Sequence, residues 1–205
     1  YLLYENDGTK RGEKHSLINI IKDQVTKGSL LVSNVRKLSQ LDENKVNSLR
    51  NINLLEKMNQ AKKYVQESFL DRDIEIFDSI SIQEPIVLAN ELLLDIFENL
   101  IINAVKYNDS PIVKILIKIS RQIKNSKNFI KVEFIDNGIG VMNKNKEIIF
   151  KRGFQKEKGT KGMGFGLTLV KKLMKIYDGK IWVEDKFEGD YTKGANFILL
   201  LPEWR

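Results

Sequence analysis

Apolar positions recur every three to four residues near the start of the chain, in the order Leu17, Ile21, Val25, Gly28, Leu31 or Val32, Val35 and Leu38. This spacing predicts one long amphipathic helix of roughly 25 residues, which ends near the polar cluster at 42–44. A lone helix cannot bury such a stripe, so another helix or domain must cover it. We expect a second subunit to supply that partner, and packing on the chain's own domain is the alternative.

From residue 50 onward, the pattern alternates between helical and strand periods. Helices are predicted at 54–69, from 86 to about 107, and at 165–177, and strands at 73–77, 112–120, 129–135, 180–184 and 195–201. The polar residues 121–128 indicate a hairpin loop between two of these strands. This order predicts an α+β fold in which three helices follow the long one and the sheet is mostly antiparallel.

The composition excludes several kinds of site. The 205 residues include no cysteine and one histidine, and 34 Lys and Arg oppose 27 Asp and Glu for a formal net charge of +7. Disulfides, thiolate metal sites, cysteine nucleophiles and sites with two imidazoles are therefore excluded. The positive charge favours an anionic partner. No apolar run approaches the roughly 20 residues that a bilayer requires. We therefore expect no membrane span here and a cytoplasmic location, even if the parent protein is anchored in a membrane.

Three polar residues share one face of the second apolar helix. Asn99, Asn103 and Lys106 lie at positions i, i+4 and i+7, which a helical rotation of 100° per residue brings to the same side. Amides within an apolar helix are costly unless they are partnered. A hydrated Mg²⁺ ion and a phosphate would partner them well, because Mg²⁺ takes oxygen ligands and few of them from protein. Helix capping or a polar surface is the alternative.

One glycine-containing segment follows a predicted strand, and another precedes a predicted helix. Asp136 ends a strand and is followed by Gly138 and Gly140, so its carboxylate could accept a hydrogen bond from a ligand amine, although a tight turn would have the same composition. Gly162, Gly164 and Gly166 lead into the last helix, where backbone N–H groups can approach a phosphate. The second segment is neither a Walker A loop nor a dinucleotide-binding fingerprint.

Taken together, these motifs resemble the GHKL superfamily of ATPases and, within it, the catalytic domain of sensor histidine kinases. Residues 99–107 look like the N box of that family, 136–141 like the G1 box, Phe150 like the F box and 162–167 like the G2 box. The segments 179–184 and 194–202 are similar to the last strands of the family. The resemblance covers about residues 50–202.

The resemblance implies ATP and Mg²⁺ as cofactors and a Bergerat-type fold. That fold is a two-layer α/β sandwich with helices on one face of a mixed sheet, here preceded by one long dimerisation helix. Asn103 would ligate Mg²⁺ with Asn99 in support, Lys106 would contact phosphate, and Tyr107 would lie near the nucleoside. Asp136 would accept a hydrogen bond from the adenine amino group. The remaining nucleotide-contacting positions would be Gly138, Gly140, Phe150, Lys161, Gly162, Gly164, Gly166 and Leu167.

Two features refine the implied activity. Much of the positive charge lies between residues 143 and 161, the segment that corresponds to the family's lid over the phosphates, and phosphoryl transfer depends strongly on electrostatic stabilisation. Family members that hydrolyse ATP carry a glutamate one helical turn before the magnesium asparagine, but Asn99 occupies that position here. The adjacent Glu98 points about 100° away around the helix. This favours phosphoryl transfer to a histidine over hydrolysis.

The single histidine is expected not to be the phosphate acceptor. His15 is followed by Ser16 and lies at the start of the helix that leads towards the catalytic domain, whereas the family's acceptor lies on the preceding helix. We expect the acceptor upstream of this sequence. The predicted organisation is a partial dimerisation segment at 1–45 and an ATP-binding domain at 46–205. A response-regulator receiver domain and a homodimer formed through 17–41 are the expected partners, and nucleic acid is not. A non-catalytic nucleotide-binding module and an anti-sigma-factor-type serine kinase are the alternatives.

Overall fold

The computed structural model describes residues 49–151 and 165–204, together with Val25, Gly28 and Val32 of the N-terminal part. The chain divides into two compact units, Tyr1–Gln40 and Leu41–Arg205. The three described residues of the first unit are helical, and the side chains of Val25 and Val32 are 62% and 67% exposed. The rest of the predicted long helix lies outside the described residues. Within the described part, no helix is long and apolar enough to cross a bilayer.

The second unit contains seven strands and three helices in the described residues. In chain order these are β1 (Arg50–Asn53), α1 (Leu54–Ser68), β2 (Asp73–Ile80), β3 (Ile86–Ala89), α2 (Leu93–Lys106), β4 (Ile112–Lys124), β5 (Lys127–Asp136), α3 (Gly166–Ile176), β6 (Lys180–Phe187) and β7 (Asp190–Pro202). Two short 3₁₀ turns, Asn143–Asn145 and Ile148–Phe150, follow β5.

Five strands form the main sheet in the order β2-β4-β5-β7-β6. β2 runs parallel to β4, whereas the pairs β4–β5, β5–β7 and β6–β7 are antiparallel. β1 and β3 form a separate antiparallel pair. The prediction of a mixed, mostly antiparallel sheet is therefore confirmed. Because β7 lies between β5 and β6, residues far apart in sequence meet at the ends of neighbouring strands.

The helices cover one face of this sheet. On β4, Val113, Ile115, Ile117 and Ile119 are buried, while Lys114 and Lys118 on the alternate positions are exposed, as the period of two in a strand requires. Phe97 of α2 packs on Phe134 of β5 with ring centroids 6.0 Å apart. The predicted two-layer α/β sandwich is thus confirmed.

The predicted helix from residue 86 to about 107 is wrong at its start. Ile86–Ala89 forms strand β3, which pairs with β1, and the helix begins only at Leu93. Asn90 forms the turn between this strand and the helix, and its side-chain oxygen accepts a hydrogen bond from the backbone N–H of Leu92 at 3.0 Å. Short apolar runs fit both a strand and a helix, so periodicity alone could not separate them.

The predicted hairpin loop at 121–128 is also wrong, because the strands continue through most of it. β4 extends to Lys124 and β5 begins at Lys127. The two residues between them, Asn125 and Ser126, have φ values of 49° and 59°. Positive φ at both central positions is typical of the two-residue turn that matches the twist of antiparallel strands. The polar composition of residues 121–128 therefore reflects a solvent-exposed two-stranded ribbon and not a long loop.

Candidate functional site

Asp136 lies at the end of β5 with its side chain buried and 5% of its surface exposed. Its Oδ1 accepts hydrogen bonds from the backbone N–H of Gly138 at 2.8 Å and of Ala195 at 3.1 Å. Burial raises the pKa of this carboxyl to about 6, although the two backbone hydrogen bonds and the nearby Lys186 act in the opposite direction. At neutral pH the group is ionised, and within the described part of the chain Oδ2 is left to accept from a ligand.

The turn after Asp136 runs so close to other backbone atoms that two of its positions must be glycine. A Cβ at Gly138 would lie 2.4 Å from the carbonyl oxygen of Tyr107, and a Cβ at Gly140 would lie 1.6 Å from that of Tyr191. Gly140 also has a φ of +66°, which favours glycine. The protein's own packing therefore requires glycine at both positions, and their close approach to a nucleotide stays a prediction.

The β6–β7 hairpin supplies the other wall of this site. Gly194 has a φ of +117°, and a Cβ there would lie 2.1 Å from the carbonyl oxygen of Asp136. The next residue, Ala195, donates the second backbone hydrogen bond to Oδ1 of Asp136. Sequence reasoning placed both residues only in a closing strand. No local signal links either residue to the Asp136 carboxylate, because that link depends on the pairing of β5 with β7.

A hydrogen-bonded pair of asparagines, one of them buried, attaches the turn to the segment after α2. Asn108 is fully buried, and its Nδ2 donates to Oδ1 of Asn137 at 2.8 Å. The backbone N–H of Lys114 donates to the same oxygen at 2.8 Å, and Nδ2 of Asn137 donates to the carbonyl oxygen of Ile112 at 3.0 Å. Sequence reasoning did not single out Asn108 or Asn137. Both stand in polar, turn-like stretches, which fit an ordinary loop equally well.

Tyr107 joins helix α2 to the turn that follows β5. Its carbonyl oxygen accepts from the backbone N–H of Ile139 at 3.0 Å, and its own N–H donates to the carbonyl oxygen of Asn103 at 3.0 Å. Burial raises the pKa of the Tyr107 hydroxyl. The predicted polar helix and the predicted glycine turn, about 30 residues apart in sequence, are thus brought into direct contact.

The two asparagines on α2 have different surroundings. Nδ2 of Asn99 donates to the carbonyl oxygen of Asp95 at 2.7 Å, and Oδ1 of Asn99 faces Gly166, where a Cβ would lie 2.3 Å from it. The side chain of Asn103 is partly exposed and makes no hydrogen bond within residues 49–151 and 165–204. Lys106 lies in the last turn of the helix. Asn99 therefore contacts the N-terminus of α3, whereas the Asn103 amide is open to a ligand.

The remaining predicted residues are distributed differently. Phe150 is buried and packs edge-on against Phe197 at a centroid distance of 6.4 Å, with Nζ of Lys171 5.8 Å from the Phe150 ring. Its side chain therefore belongs to the core between β7 and α3. Leu167 lies in the first turn of α3 and is partly exposed. His15, Lys161, Gly162 and Gly164 lie outside the described residues.

Comparison with known proteins assigns this arrangement to a family. The sequence profile of the histidine kinase-, DNA gyrase B- and HSP90-like ATPases matches residues 89–205, which is more than half of the chain. The matched region contains Asn103, Asp136 and Gly166. This chain belongs to that ATPase family. It is therefore a nucleotide-binding protein, and the GHKL resemblance of its motifs is confirmed.

Sensor histidine kinases are among the relatives of this GHKL ATPase domain. The sensor-like histidine kinase ycf26 of Pyropia yezoensis is 30% identical over 192 residues, which cover 87% of this chain and 29% of the relative. The adaptive-response sensory kinase SasA of Synechocystis is 31% identical over 146 residues, which cover 68% of this chain and 35% of the relative. The chain thus spans about a third of the length of these relatives.

Solved structures of histidine kinases share the fold. The mycobacterial sensor histidine kinase MprB superposes with a TM-score of 0.63 at 18% identity, over 76% of this chain and 97% of the solved one. Full-length ShkA in complex with AMPPNP superposes with a TM-score of 0.67 at 24% identity, over 93% of this chain and 39% of the solved one. At these identities the likeness establishes the fold of the GHKL domain.

The donor set on α2 suits Mg²⁺ better than a metal held by several side chains. Within the described residues, no three His, Asp or Glu side chains are grouped so that they could hold a metal ion. Mg²⁺ usually keeps several waters and takes one or two protein oxygens together with substrate phosphates. The side-chain amide of Asn103, which has no hydrogen bond within the described residues and is linked to the Asp136 turn through Tyr107, fits that requirement.

Proposed function

We propose that this chain binds ATP with Mg²⁺ at the site between Asp136 and Asn103 and transfers the γ-phosphoryl group to a histidine side chain. The observation that carries this proposal is the buried Asp136 carboxylate, held through one oxygen by Gly138 and Ala195. Tyr107 connects that carboxylate's turn to the helix that carries Asn103. The residues proposed to bind the base and those proposed to bind Mg²⁺ and phosphate are therefore linked through the backbone of Tyr107.

Adenine is the base that suits Asp136. The exocyclic amino group of adenine donates a hydrogen bond, which Oδ2 of the ionised carboxylate accepts. Guanine presents a carbonyl oxygen at the equivalent position, so two acceptors would face each other in a site from which water is largely excluded. A buried polar group left without its partner costs about 1–3 kcal/mol, and a site built to bond one group rejects an analogue without it strongly.

The phosphates belong at the other end of the site. The Asn103 amide oxygen would ligate Mg²⁺, which neutralises charge on the phosphate oxygens, and Lys106 would contact phosphate from the last turn of the same helix. The N-terminus of α3 begins at Gly166, beside Asn99, and backbone N–H groups at a helix N-terminus attract anions. Roles in phosphate binding for Lys161, Gly162, Gly164 and Leu167 are part of this proposal.

The surroundings of Asn99 favour a histidine over water as the acceptor. A general base at this position would require a carboxylate, but the side chain is an amide whose Nδ2 already donates to the carbonyl oxygen of Asp95. An imidazole is a sufficient nucleophile without such a base. Its unprotonated ring nitrogen attacks the γ-phosphorus, the bond from that phosphorus to the β–γ bridging oxygen breaks, ADP leaves, and the proton on the other ring nitrogen goes to solvent.

The wider organisation of the kinase is proposed from its relatives, which are named as sensory kinases. Residues 1–45 would form part of a dimerisation segment and 46–205 the ATP-binding domain. The exposed Val25 and Val32 agree with a helix that a second copy covers through 17–41. A response-regulator receiver domain would accept the phosphoryl group, and an acceptor histidine other than His15 would carry it there.

Nucleotide titration and phosphate labelling test the proposal. Calorimetry of this chain should show binding of ATP with Mg²⁺ and much weaker binding of GTP. Incubation of the longer parent protein with γ-labelled ATP should give an acid-labile, base-stable label, as expected for phosphohistidine. A chain that binds ATP and GTP equally contradicts the base assignment. Acid-labile labelling of the isolated chain that His15→Ala abolishes contradicts the acceptor assignment.

A further inference from the structure

An ion pair with both side chains largely shielded from water lies beside the Asp136 turn. Nζ of Lys146 is 2.6 Å from Oδ1 of Asp185, and the two side chains are 21% and 10% exposed. By contrast, the side chains of the helical pair Lys63–Glu67 are 77% and 66% exposed. A shielded pair has given up hydration on both partners, so removing one partner leaves an uncompensated charge. Such a pair therefore constrains the segments that carry it far more than an exposed one.

The position of the pair connects it to the carboxylate that recognises the base. Asp185 lies on β6 directly opposite Ala195 of β7, and the N–H of Ala195 donates to Oδ1 of Asp136. The neighbouring Lys186 acts electrostatically on Asp136. The same short stretch of hairpin therefore carries the Lys146 partner, the Asp136 donor and a cation near the Asp136 carboxylate.

Lys146 holds the other end of the segment that starts with the glycine turn. Gly140 runs against the carbonyl oxygen of Tyr191, and Lys146 follows six positions later, just after the 3₁₀ turn Asn143–Asn145. The chain between them is thus attached to the β6–β7 hairpin at both ends. The backbone contact at Gly140 is fixed by sterics, whereas the second attachment depends on the charges of Lys146 and Asp185.

We propose that Lys146 and Asp185 are positioning residues for nucleotide binding, because their ion pair holds the chain after the glycine turn against β6 and so keeps Gly138 and Ala195 on Asp136. This inference rests on the proposed binding of adenine nucleotide at Asp136, and it does not depend on phosphoryl transfer. Neither side chain is assigned a contact with the nucleotide. Loss of the pair lowers affinity by loosening the two donors of the Asp136 carboxylate.

Calorimetric titration with AMPPNP and Mg²⁺, well below the unfolding temperature, tests this inference. Lys146→Met should weaken binding by about tenfold or more, because it leaves the shielded Asp185 carboxylate without its opposing charge. Lys63→Met is the matched control, since it removes the cation of the exposed Lys63–Glu67 pair on α1, and it should bind within about twofold of the wild type. Lys146→Arg keeps the charge and should retain most of the affinity.

Amide hydrogen exchange separates positioning from a general loss of stability. In Lys146→Met, the N–H groups of Gly138 and Ala195 should exchange faster, while that of Ile117 in the centre of β4 keeps its protection. An equal loss of protection at all three amides would overturn the inference. If Lys146→Met does not fold, Asp185→Asn removes the opposite charge with almost no change in volume and gives the same test.

The outcomes distinguish this inference from the proposed function. A wild-type chain that does not bind AMPPNP overturns both. A wild-type chain that binds, together with a folded Lys146→Met or Asp185→Asn variant that binds within about twofold of it, overturns the positioning role alone and leaves nucleotide binding at Asp136 in place. Tenfold weaker binding in both variants, with selective exchange at Gly138 and Ala195, supports it.

Discussion

The backbone N–H of Ala195 donates a hydrogen bond at 3.1 Å to Oδ1 of Asp136, 59 positions earlier in the chain. The antiparallel pairing of β5 with β7 brings the two together, and Gly194 lets the strands approach because a Cβ there would lie 2.1 Å from the Asp136 carbonyl oxygen. The carboxylate is therefore oriented by backbone groups on both sides. Such an orientation leaves its second oxygen as the natural acceptor for a base.

Asp136→Asn should abolish measurable adenine nucleotide binding while leaving the fold intact. The asparagine oxygen can still accept from Gly138 and Ala195, but its amide nitrogen then presents N–H donors to the adenine amino group. The loss of a charge-assisted bond and the opposed donors together predict a reduction of at least about 100-fold in calorimetric affinity. Asp109→Asn changes an exposed aspartate and is the control. Unchanged affinity in Asp136→Asn contradicts the adenine assignment.

The pH dependence of stability should carry a contribution from Asp136. Burial raises the pKa of this carboxyl from its ordinary value of 3.8 to about 6 in the folded chain, so the folded state binds the proton more tightly than the unfolded state. The ionised form therefore costs stability above pH 6, and this cost disappears as the pH falls towards 4. The full effect is about 3 kcal/mol.

Urea denaturation of the wild type and of Asp136→Asn, compared across this pH range, measures that effect. Asparagine stays neutral, so the free energy of unfolding of the variant should exceed that of the wild type most at pH 7–8. The two should converge near pH 4. A difference between them that does not change with pH would show that burial does not raise the pKa of Asp136.

Asn103→Ala should remove the magnesium dependence of ATP affinity. The Asn103 side chain has no hydrogen bond to lose within the described residues, so the substitution should cost little stability. If its amide oxygen ligates Mg²⁺, titrations of the variant with and without the metal should give nearly equal affinities. Asn59→Ala, at an exposed position of α1, should behave as the wild type. A variant that remains as magnesium-dependent as the wild type defeats the metal assignment.

Gly166→Ala should destabilise the domain because of Asn99. The new Cβ would lie 2.3 Å from Oδ1 of Asn99, and that side chain is held by its bond to the carbonyl oxygen of Asp95. We expect a loss of about 1–3 kcal/mol in the free energy of unfolding, as is usual for overpacking. Gly28→Ala is the matched control, because Gly28 is helical and nothing lies within 4 Å of its Cβ position.

A double-mutant cycle checks the origin of that loss. Asn99→Ala removes the clashing oxygen, so the Asn99→Ala/Gly166→Ala variant should be more stable than the sum of the single changes predicts. Residues in direct contact usually show coupling energies of about 0.5–3 kcal/mol. Additive effects would mean that α3 moves away from Asn99 without strain, and that the close approach of Gly166 is not a requirement of the fold.

The motifs were predictable from the sequence because each is local. Spacing along one helix face places Asn99 and Asn103 together, and the succession of strand, aspartate and glycines predicts the Asp136 turn. Gly194, Ala195 and Asn108 were not predictable in the same way, since their roles depend on strand pairing and on contacts between distant loops. Phe150 shows a further limit, because its position in a motif does not reveal that its ring packs on Phe197.

The boundaries that sequence reasoning misplaced have a similar cause. Residues 86–89 form a strand because they pair with β1, and periodicity over four residues does not show whether such a partner strand exists. The polar stretch at 121–128 forms an exposed ribbon whose backbone is satisfied across the hairpin. In both cases tertiary pairing, and not the local pattern, determined the element.

The position of β7 between β5 and β6 has a consequence for folding of the chain during its synthesis. A nascent chain that has not yet emerged through residues 190–202 lacks an interior strand of its sheet and the N–H of Ala195, so the Asp136 carboxylate is incompletely held. A ligand stabilises only the state that binds it. Adenine nucleotide bound at Asp136 would therefore stabilise only chains in which β7 is already paired.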